Sequence, residues 1–323
     1  MQGICTLGND VVYDQIVALL NSIDANSGSE IPVCVFPFDD RLERLSAEIA
    51  RRPNVSLYNN QEIINHWDQF MAGASPASTN KKYRLYGAHR RFCGFNGPFE
   101  RFVYMDADTL LMSPLDFIFN KLDEYDCVVY DFQHFEPERI YNLKSSKLTQ
   151  VFPQELIDCQ IFCSGFYATK RGLFEQEKCK WLLSNLQEGG ELEILYPKGD
   201  QPVLNYMFMR SGIPIYNFAY YLPNSIRTGN SVTSSHFKEK DHILYDKGNP
   251  LTYFHYIGIM PSVMEAVCKG KNVEFPYRDV FLHYRYLHEP EKRPVFTTPG
   301  VPYNASSKPS LVKRILRKLN LSR

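Results

Sequence analysis

Apolar and polar positions alternate along the first sixty residues with two different periods, and the switches between them predict the elements. GICTLG (3 to 8) is a short apolar run with polar flanks, as a buried strand requires. From Asp10 to about Ile23 the period becomes helical, with Ile16, Leu19, Leu20 and Ile23 on one face. IPVCVFP (31 to 37) then predicts a second strand, the amphipathic RLERLSAEIARR a second helix and VSLY a third strand. Strand, helix, strand, helix, strand implies the α/β class, with a mostly parallel sheet covered on both faces. Further strands are predicted at RFVYM (101 to 105), DCVVYDF (126 to 132) and QIFCSGFYAT (160 to 169). A helix follows Gly199, then the β-rich stretches PIYNFAYYL and TYFHYIG.

Residues 59 to 80 and 222 to 250 are polar and irregular, which suits lids or binding loops. After residue 290, EPEKRPVFTTPGVPYNASSKPS is proline-rich and reads as a linker. The expected organisation is one folded domain over residues 1 to 290, with a linker and tail over residues 291 to 323.

Lysine plus arginine equals aspartate plus glutamate, at 36 each, so the overall balance gives no sign of a nucleic-acid binder. Residues 308 to 323, KPSLVKRILRKLNLSR, are different, with six basic side chains and no acidic one. Leu311, Val312, Ile315, Leu316 and Leu319 fall opposite Lys313, Arg314, Arg317 and Lys318. Such a basic amphipathic helix suits an anionic membrane surface, or docking on the acidic body of the chain. Eight cysteines without a CxxC pair suggest reduced thiols and a cytoplasmic protein, peripheral to a membrane if the tail binds one. The opening strand leaves no room for a signal peptide, and no apolar run approaches the ~18 residues of a membrane span.

The candidate chemistry lies in FVYMDADTLLM (102 to 112), where Asp106 and Asp108 interrupt an apolar run. If RFVYM is a strand, both carboxylates fall at its carboxyl end, where open α/β sheets gather ligands. At positions i and i+2 they can converge on a hard divalent cation that keeps sites open for phosphate oxygens. The alternative is a turn cap at Asp106, with Asp108 paired to an arginine such as Arg84 or Arg101.

The run KKYRLYGAHRRFCGFNGPFERFVYMDADTLLM resembles the segment before the metal site of glycosyltransferases with the GT-A fold, particularly family 8, which includes glycogenin and bacterial lipooligosaccharide galactosyltransferases. Three later segments resemble that family's motifs in the same order. CSGFYATKRGLF (163 to 174) is similar to its NSGVLLIN-type strand, GDQPVLNYMF (199 to 208) to its DQDxLN segment, and FHYIG (254 to 258) to its HFxG segment.

The resemblance implies a single Rossmann-like GT-A domain and a metal-dependent, retaining transfer of a hexose from a nucleotide-diphosphate sugar, UDP by default, to a glycan or lipid-linked hydroxyl. It implies Asp106, Asp108 and His255 as ligands of Mn²⁺ or Mg²⁺, with the imidazole tilting the choice to Mn²⁺. Asp200 would bind sugar hydroxyls and Gln201 would lie beneath the anomeric carbon. Arg84, Ala107, Gly165 and Gly258 would face the donor, the two glycines allowing close backbone approach.

In the first loop, TLGNDVVYDQ replaces the family's usual acidic pair and Asn-Tyr, so Thr6, Asn9, Asp10 and Tyr13 are candidate contacts to base and ribose. The lysine usual after the HxG segment is missing, with Met260 and Pro261 there; the charge partner of the diphosphate is then Lys269 or Lys271, or is absent. Two other classes compete. DADTLL also resembles the DxDxT motif of haloacid-dehalogenase phosphohydrolases, with Asp106 as nucleophile. A non-catalytic nucleotide-sugar-binding protein is the other.

Overall fold

A computed structural model of the protein describes residues 1–27, 30–75 and 87–305. Strands β1 (Gln2–Gly8), β2 (Val33–Pro37), β3 (Val55–Leu57) and β4 (Arg101–Met105) lie close to the predicted positions. After β5 (Thr109–Leu111) come β6 (Cys127–Val129), β7 (Phe166–Lys170) and β8 (Ile215–Asn217). All but β5 form one seven-stranded sheet in the order β3-β2-β1-β4-β7-β6-β8. Only β7 runs antiparallel to its neighbours β4 and β6; the other pairings are parallel.

Alternation along β4 sends successive side chains to opposite faces and so divides the core in two. Val103 and Met105 join Ile16, Leu19, Leu20 and Ile23 of the helix Tyr13–Asn26. Phe102 and Tyr104 join an aromatic layer with Trp67, Phe70, Phe92 and Phe95.

That second layer corrects the reading of residues 59 to 80 as an irregular lid. Gln61–Ala74 is a helix, capped by the Asn60 side chain, which accepts from the Ile63 amide. Its apolar residues Ile64, Trp67, Phe70, Met71 and Ala74 are buried, while the intervening polar residues that obscure the period face outward. Residues 76–86 lie outside the described residues, and Arg84 with them.

Other boundaries also differ. The strand predicted from Gln160 begins only at Phe166, because Phe162 bonds instead to Asn205: its amide donates to Oδ1 at 2.8 Å and its carbonyl accepts from Nδ2 at 2.9 Å. The β-rich reading of PIYNFAYYL holds for Ile215–Asn217, after which Phe218–Tyr221 is one helical turn.

Within the polar stretch 222 to 250, β9 (Lys238–Lys240), β10 (Ile243–Asp246) and β11 (Asn249–Pro250) form an antiparallel meander. Its two-residue turns, Asp241-His242 and Lys247-Gly248, have positive φ at both positions, the twist that tight hairpins prefer. Strand β12 (Tyr253–His255) follows and pairs with β5.

Near the end, β13 (Val273–Glu274) pairs in parallel with β14 (Val301–Pro302), so part of the stretch read as linker lies against the body. The basic tail helix, 311 to 319, falls outside the described residues. All eight cysteines are free thiols. Among the described residues no helix is long and apolar enough to cross a membrane.

Candidate active site

Strand β4 ends at Met105, and the chain then turns sharply enough to set two carboxylates side by side. The Asp106 amide donates to the Gly165 carbonyl at 2.9 Å, continuing the β4–β7 ladder by one residue. Both the amide and the hydroxyl of Thr109 then donate to the Asp106 carbonyl, at 3.0 and 2.7 Å, closing a turn over Ala107 and Asp108.

The third member arrives from far along the chain. β5 pairs with β12 so that Thr109 faces His255, and the Tyr256 amide donates to the Asp108 carbonyl at 2.9 Å. His255 is held on its other edge by Asn230 and Val232, its amide donating to the Asn230 carbonyl at 2.7 Å. Its Nε2 lies 3.2 Å from Asp108 Oδ1, and ligand atoms of Asp106, Asp108 and His255 all lie within 4.8 Å of one another.

These residues fit a divalent cation. Two carboxylates and one imidazole supply three converging donors and leave coordination positions open, the arrangement a catalytic ion needs. Gly165 keeps the space clear, since a Cβ there would lie 2.6 Å from His255 Cε1 and 3.0 Å from Asp106 Oδ2. Gly258 has a different reason to be glycine: its φ is +84°, with open space around it.

Arg91, which sequence reasoning missed, carries the compensating charge. Its Nη1 is 3.1 Å from Asp106 Oδ1 and its Nε 2.7 Å from Asp200 Oδ2. Nη1 also donates to the Ser164 carbonyl at 2.6 Å and Nε to the Ala88 carbonyl at 3.1 Å, so the buried fork is fixed from several sides. Tyr104 lies under the guanidinium at 4.8 Å and donates its hydroxyl to Asp106 Oδ1 at 2.8 Å.

The electrostatics separate the two carboxylates. Burial pushes the Asp106 carboxyl above the usual carboxylate range, and Asp108 adds to this against the pull of Arg91. Burial would raise Asp108 too, but the adjoining His255 outweighs it and leaves that group below its ordinary value. Desolvation opposes a charged His255, yet Asp108 overrides it and raises the imidazole well above its usual range.

Asp200 precedes the helix Gln201–Arg210 but makes no capping bond; its carboxylate turns to Arg91. Gln201 accepts from the Ser164 amide at 3.1 Å and donates from Nε2 to Gln133 Oε1 at 3.0 Å.

Of the first-loop candidates, Asn9 lines a cavity of about 320 Å³ shared with Ala107, Asp106, Asp108 and Arg91. Its own side chain is bonded, Nδ2 donating to Asp39 and Oδ1 accepting from the Val11 amide, both at 3.0 Å, and the other three candidates do not line the cavity. Thr6 is fully buried inside β1, Asp10 accepts from the Arg44 and Leu45 amides at the start of the helix Glu43–Ile49, and Tyr13 donates to Glu48 at 3.2 Å. Lys269 pairs with Glu265, and Arg101 with Asp123 rather than with Asp108. Arg41, at the rim of the same cavity, is a cation that sequence reading passed over. A second cavity, about 600 Å³, is lined by His255, Cys163, Asp131 and Gln133. The Asp106–Asp108–His255 group thus borders two cavities, its carboxylates lining the first and its imidazole the second.

No family model matches the chain, and no curated protein matches it by sequence. Solved structures do match in shape. The apo structure of the bifunctional glycosyltransferase WbbM superposes with a TM-score of 0.55 at 14% identity, over 90% of this chain and 51% of that one. The galactosyltransferase LgtC, solved with donor and acceptor sugar analogues, gives 0.51 at 16% identity, over 80% of this chain and 87% of that one. The fold is that of the GT-A glycosyltransferases. This chain spans about half the length of WbbM and most of LgtC.

The phosphohydrolase reading gains no support. Asp106 follows the fourth strand in sequence, behind three complete strand-helix units, and the matching folds are those of glycosyltransferases. The non-catalytic binding-protein reading gains none either.

Proposed function

We propose that the protein is a metal-dependent glycosyltransferase that moves a hexose from a nucleotide-diphosphate sugar, UDP by default, to a hydroxyl of a glycan or lipid-linked acceptor. The observation that carries this reading is the convergence of Asp106, Asp108 and His255 between two cavities. The smaller cavity, with Asn9 and Ala107, takes the nucleotide, and the larger takes the acceptor.

A divalent cation held by Asp106, Asp108 and His255, Mn²⁺ in preference to Mg²⁺, would supply Lewis-acid stabilisation of the departing diphosphate. The chain's own residues do the rest. Arg91 fixes Asp106 and Asp200 relative to each other, so that Asp200 can meet sugar hydroxyls without shifting the metal ligands. Gln201, anchored by Ser164 and Gln133, presents a neutral amide dipole beneath the anomeric carbon. The anomeric bond to the diphosphate oxygen breaks as the acceptor oxygen bonds to the same face of that carbon. The acceptor proton leaves on the diphosphate, which gives retention of configuration.

The cellular setting belongs to the same reading: a cytoplasmic enzyme over residues 1 to 290, held at an anionic membrane surface by residues 308 to 323. Membrane contact would favour a lipid-linked acceptor. Vesicle sedimentation of the full chain and of a chain lacking residues 308 to 323 tests this part, and equal sedimentation removes it. The central test is a screen of nucleotide sugars with Mn²⁺ for hydrolysis and thermal stabilisation. No response to any donor defeats the assignment.

A further inference from the structure

The second cavity is lined by three carboxylates, Asp131, Glu136 and Asp246, and three cations, Arg139, Arg227 and Lys247, which differ in what they touch. Of the acidic groups, only Glu136 has an arginine partner, Asp246 meets a histidine, and Asp131 is held by a backbone amide. Glu136 pairs with Arg139 at 2.9 Å, Asp246 accepts from the Gly229 amide at 2.8 Å and meets His236 at 3.2 Å, and Asp131 accepts from the Gln133 amide at 2.7 Å. Arg227 and Lys247 differ. Arg227 Nη1 donates to the Ala219 carbonyl at 2.8 Å and Nη2 to the Asn224 side chain; Lys247 donates to the carbonyls of Asn224 and Arg227, both at 3.2 Å. Neutral oxygens hold both cations in place without cancelling their charge, and each keeps further N–H groups to donate. Among the described residues no carboxylate pairs with either.

The same cavity is also lined by an aromatic ring, Phe135. Phe135 is 72% exposed although it lies nearly parallel to Phe132, with 8° between the rings. An aromatic face left in water at the mouth of a polar cleft offers the C–H face of a pyranose ring a surface to cover.

We propose that the acceptor is a saccharide bearing an anionic group, phosphate or carboxylate, with its ring on Phe135 and its charge met by Arg227 and Lys247. Charge-assisted bonds to a fixed guanidinium and ammonium are about twice as strong as neutral ones, so they select the anion over an uncharged isostere. This rests on the transferase reading and narrows its acceptor. Bond changes stay as above: the acceptor oxygen replaces the diphosphate oxygen at the anomeric carbon, and the anionic group takes no part.

The probes are glucose 6-phosphate, glucuronic acid and glucose. Calorimetry with Mn²⁺ and the matching nucleoside diphosphate is expected to show at least tenfold tighter binding of one anionic probe than of glucose, with an advantage that shrinks as salt rises. Comparing the two anions tells phosphate from carboxylate. Lys247→Gln, at an exposed position, should remove most of the preference and Lys247→Arg restore it; Arg227→Gln should act likewise, its folding checked by thermal melting. Equal binding of all three probes, or an unchanged preference in Lys247→Gln, overturns the proposal. Donor hydrolysis by the unsubstituted protein without acceptor reports on the transferase reading by itself, so the two can fail separately.

Discussion

Arg91 and Asp106 lie 3.1 Å apart at the buried edge of the cation site, and the same guanidinium reaches Asp200 at 2.7 Å. One cation thus compensates carboxylates that belong to two parts of the fold. Its removal leaves Asp200, which is 5% exposed, without its arginine partner and leaves Asp106 beside Asp108. Arg91→Met is expected to destabilise the protein by about 3–5 kcal/mol, the usual cost of breaking a buried ion pair on one side. Arg91→Lys, which cannot reproduce the fork, should recover only part of this. Urea denaturation of the three proteins measures both effects.

Asp108→Asn and His255→Ala should each abolish stoichiometric Mn²⁺ binding while leaving the melting temperature in EDTA within a few degrees of the parent. Isothermal calorimetry with metal alone reads the first effect without reliance on turnover. Retained tight binding in both variants would remove the cation from the site.

Gly165→Ala provides a steric test of the same cluster. The added methyl meets the imidazole rather than a flexible chain end, so His255 must move away from the carboxylates. The expected result is a loss of about 1–3 kcal/mol in stability from overpacking, together with at least tenfold weaker Mn²⁺ binding. Stability and metal titration on one preparation check the pair of effects.

Asp131 gives a pH dependence. Burial raises its carboxyl from about 3.8 to about 7, against the pull of the Gln133 amide. Between those values the folded chain keeps a proton that the unfolded chain has released, so stability falls as pH rises through this window. The difference between the two values corresponds to about 4 kcal/mol, fully lost above pH 7. Asp131→Asn should flatten that slope, and unfolding free energies at pH 5 and pH 8 would show it. Parallel pH profiles for the two proteins would contradict this account.

Much of this site is legible in the sequence, because a strand that ends in two carboxylates is a local pattern. Asp106 and Asp108 fall next to each other by chain geometry alone, and the α/β alternation already places them at a strand's carboxyl end. Arg91 is not legible in that way. HRRFC offers two adjacent arginines, and only the packing of the 3₁₀ segment Gly87–Asn96 decides that Arg91 turns inward while Arg90 binds Asp68. Tyr13 and Asp10 mislead for the converse reason. Each has a polar group suited to a nucleotide, but the neighbouring helix Glu43–Ile49 claims both. The helix Gln61–Ala74 escapes detection because Asn65, His66, Asp68 and Gln69 dilute its apolar period, and burial of Trp67 and Phe70 becomes visible only once the opposite layer is present.

The pairing of β5 with β12 joins Thr109 to a residue almost 150 positions downstream. During synthesis the ribosome therefore releases both aspartates long before the histidine exists. Until residues 253–255 have been made, the two carboxylates lack the imidazole that completes the three-donor group.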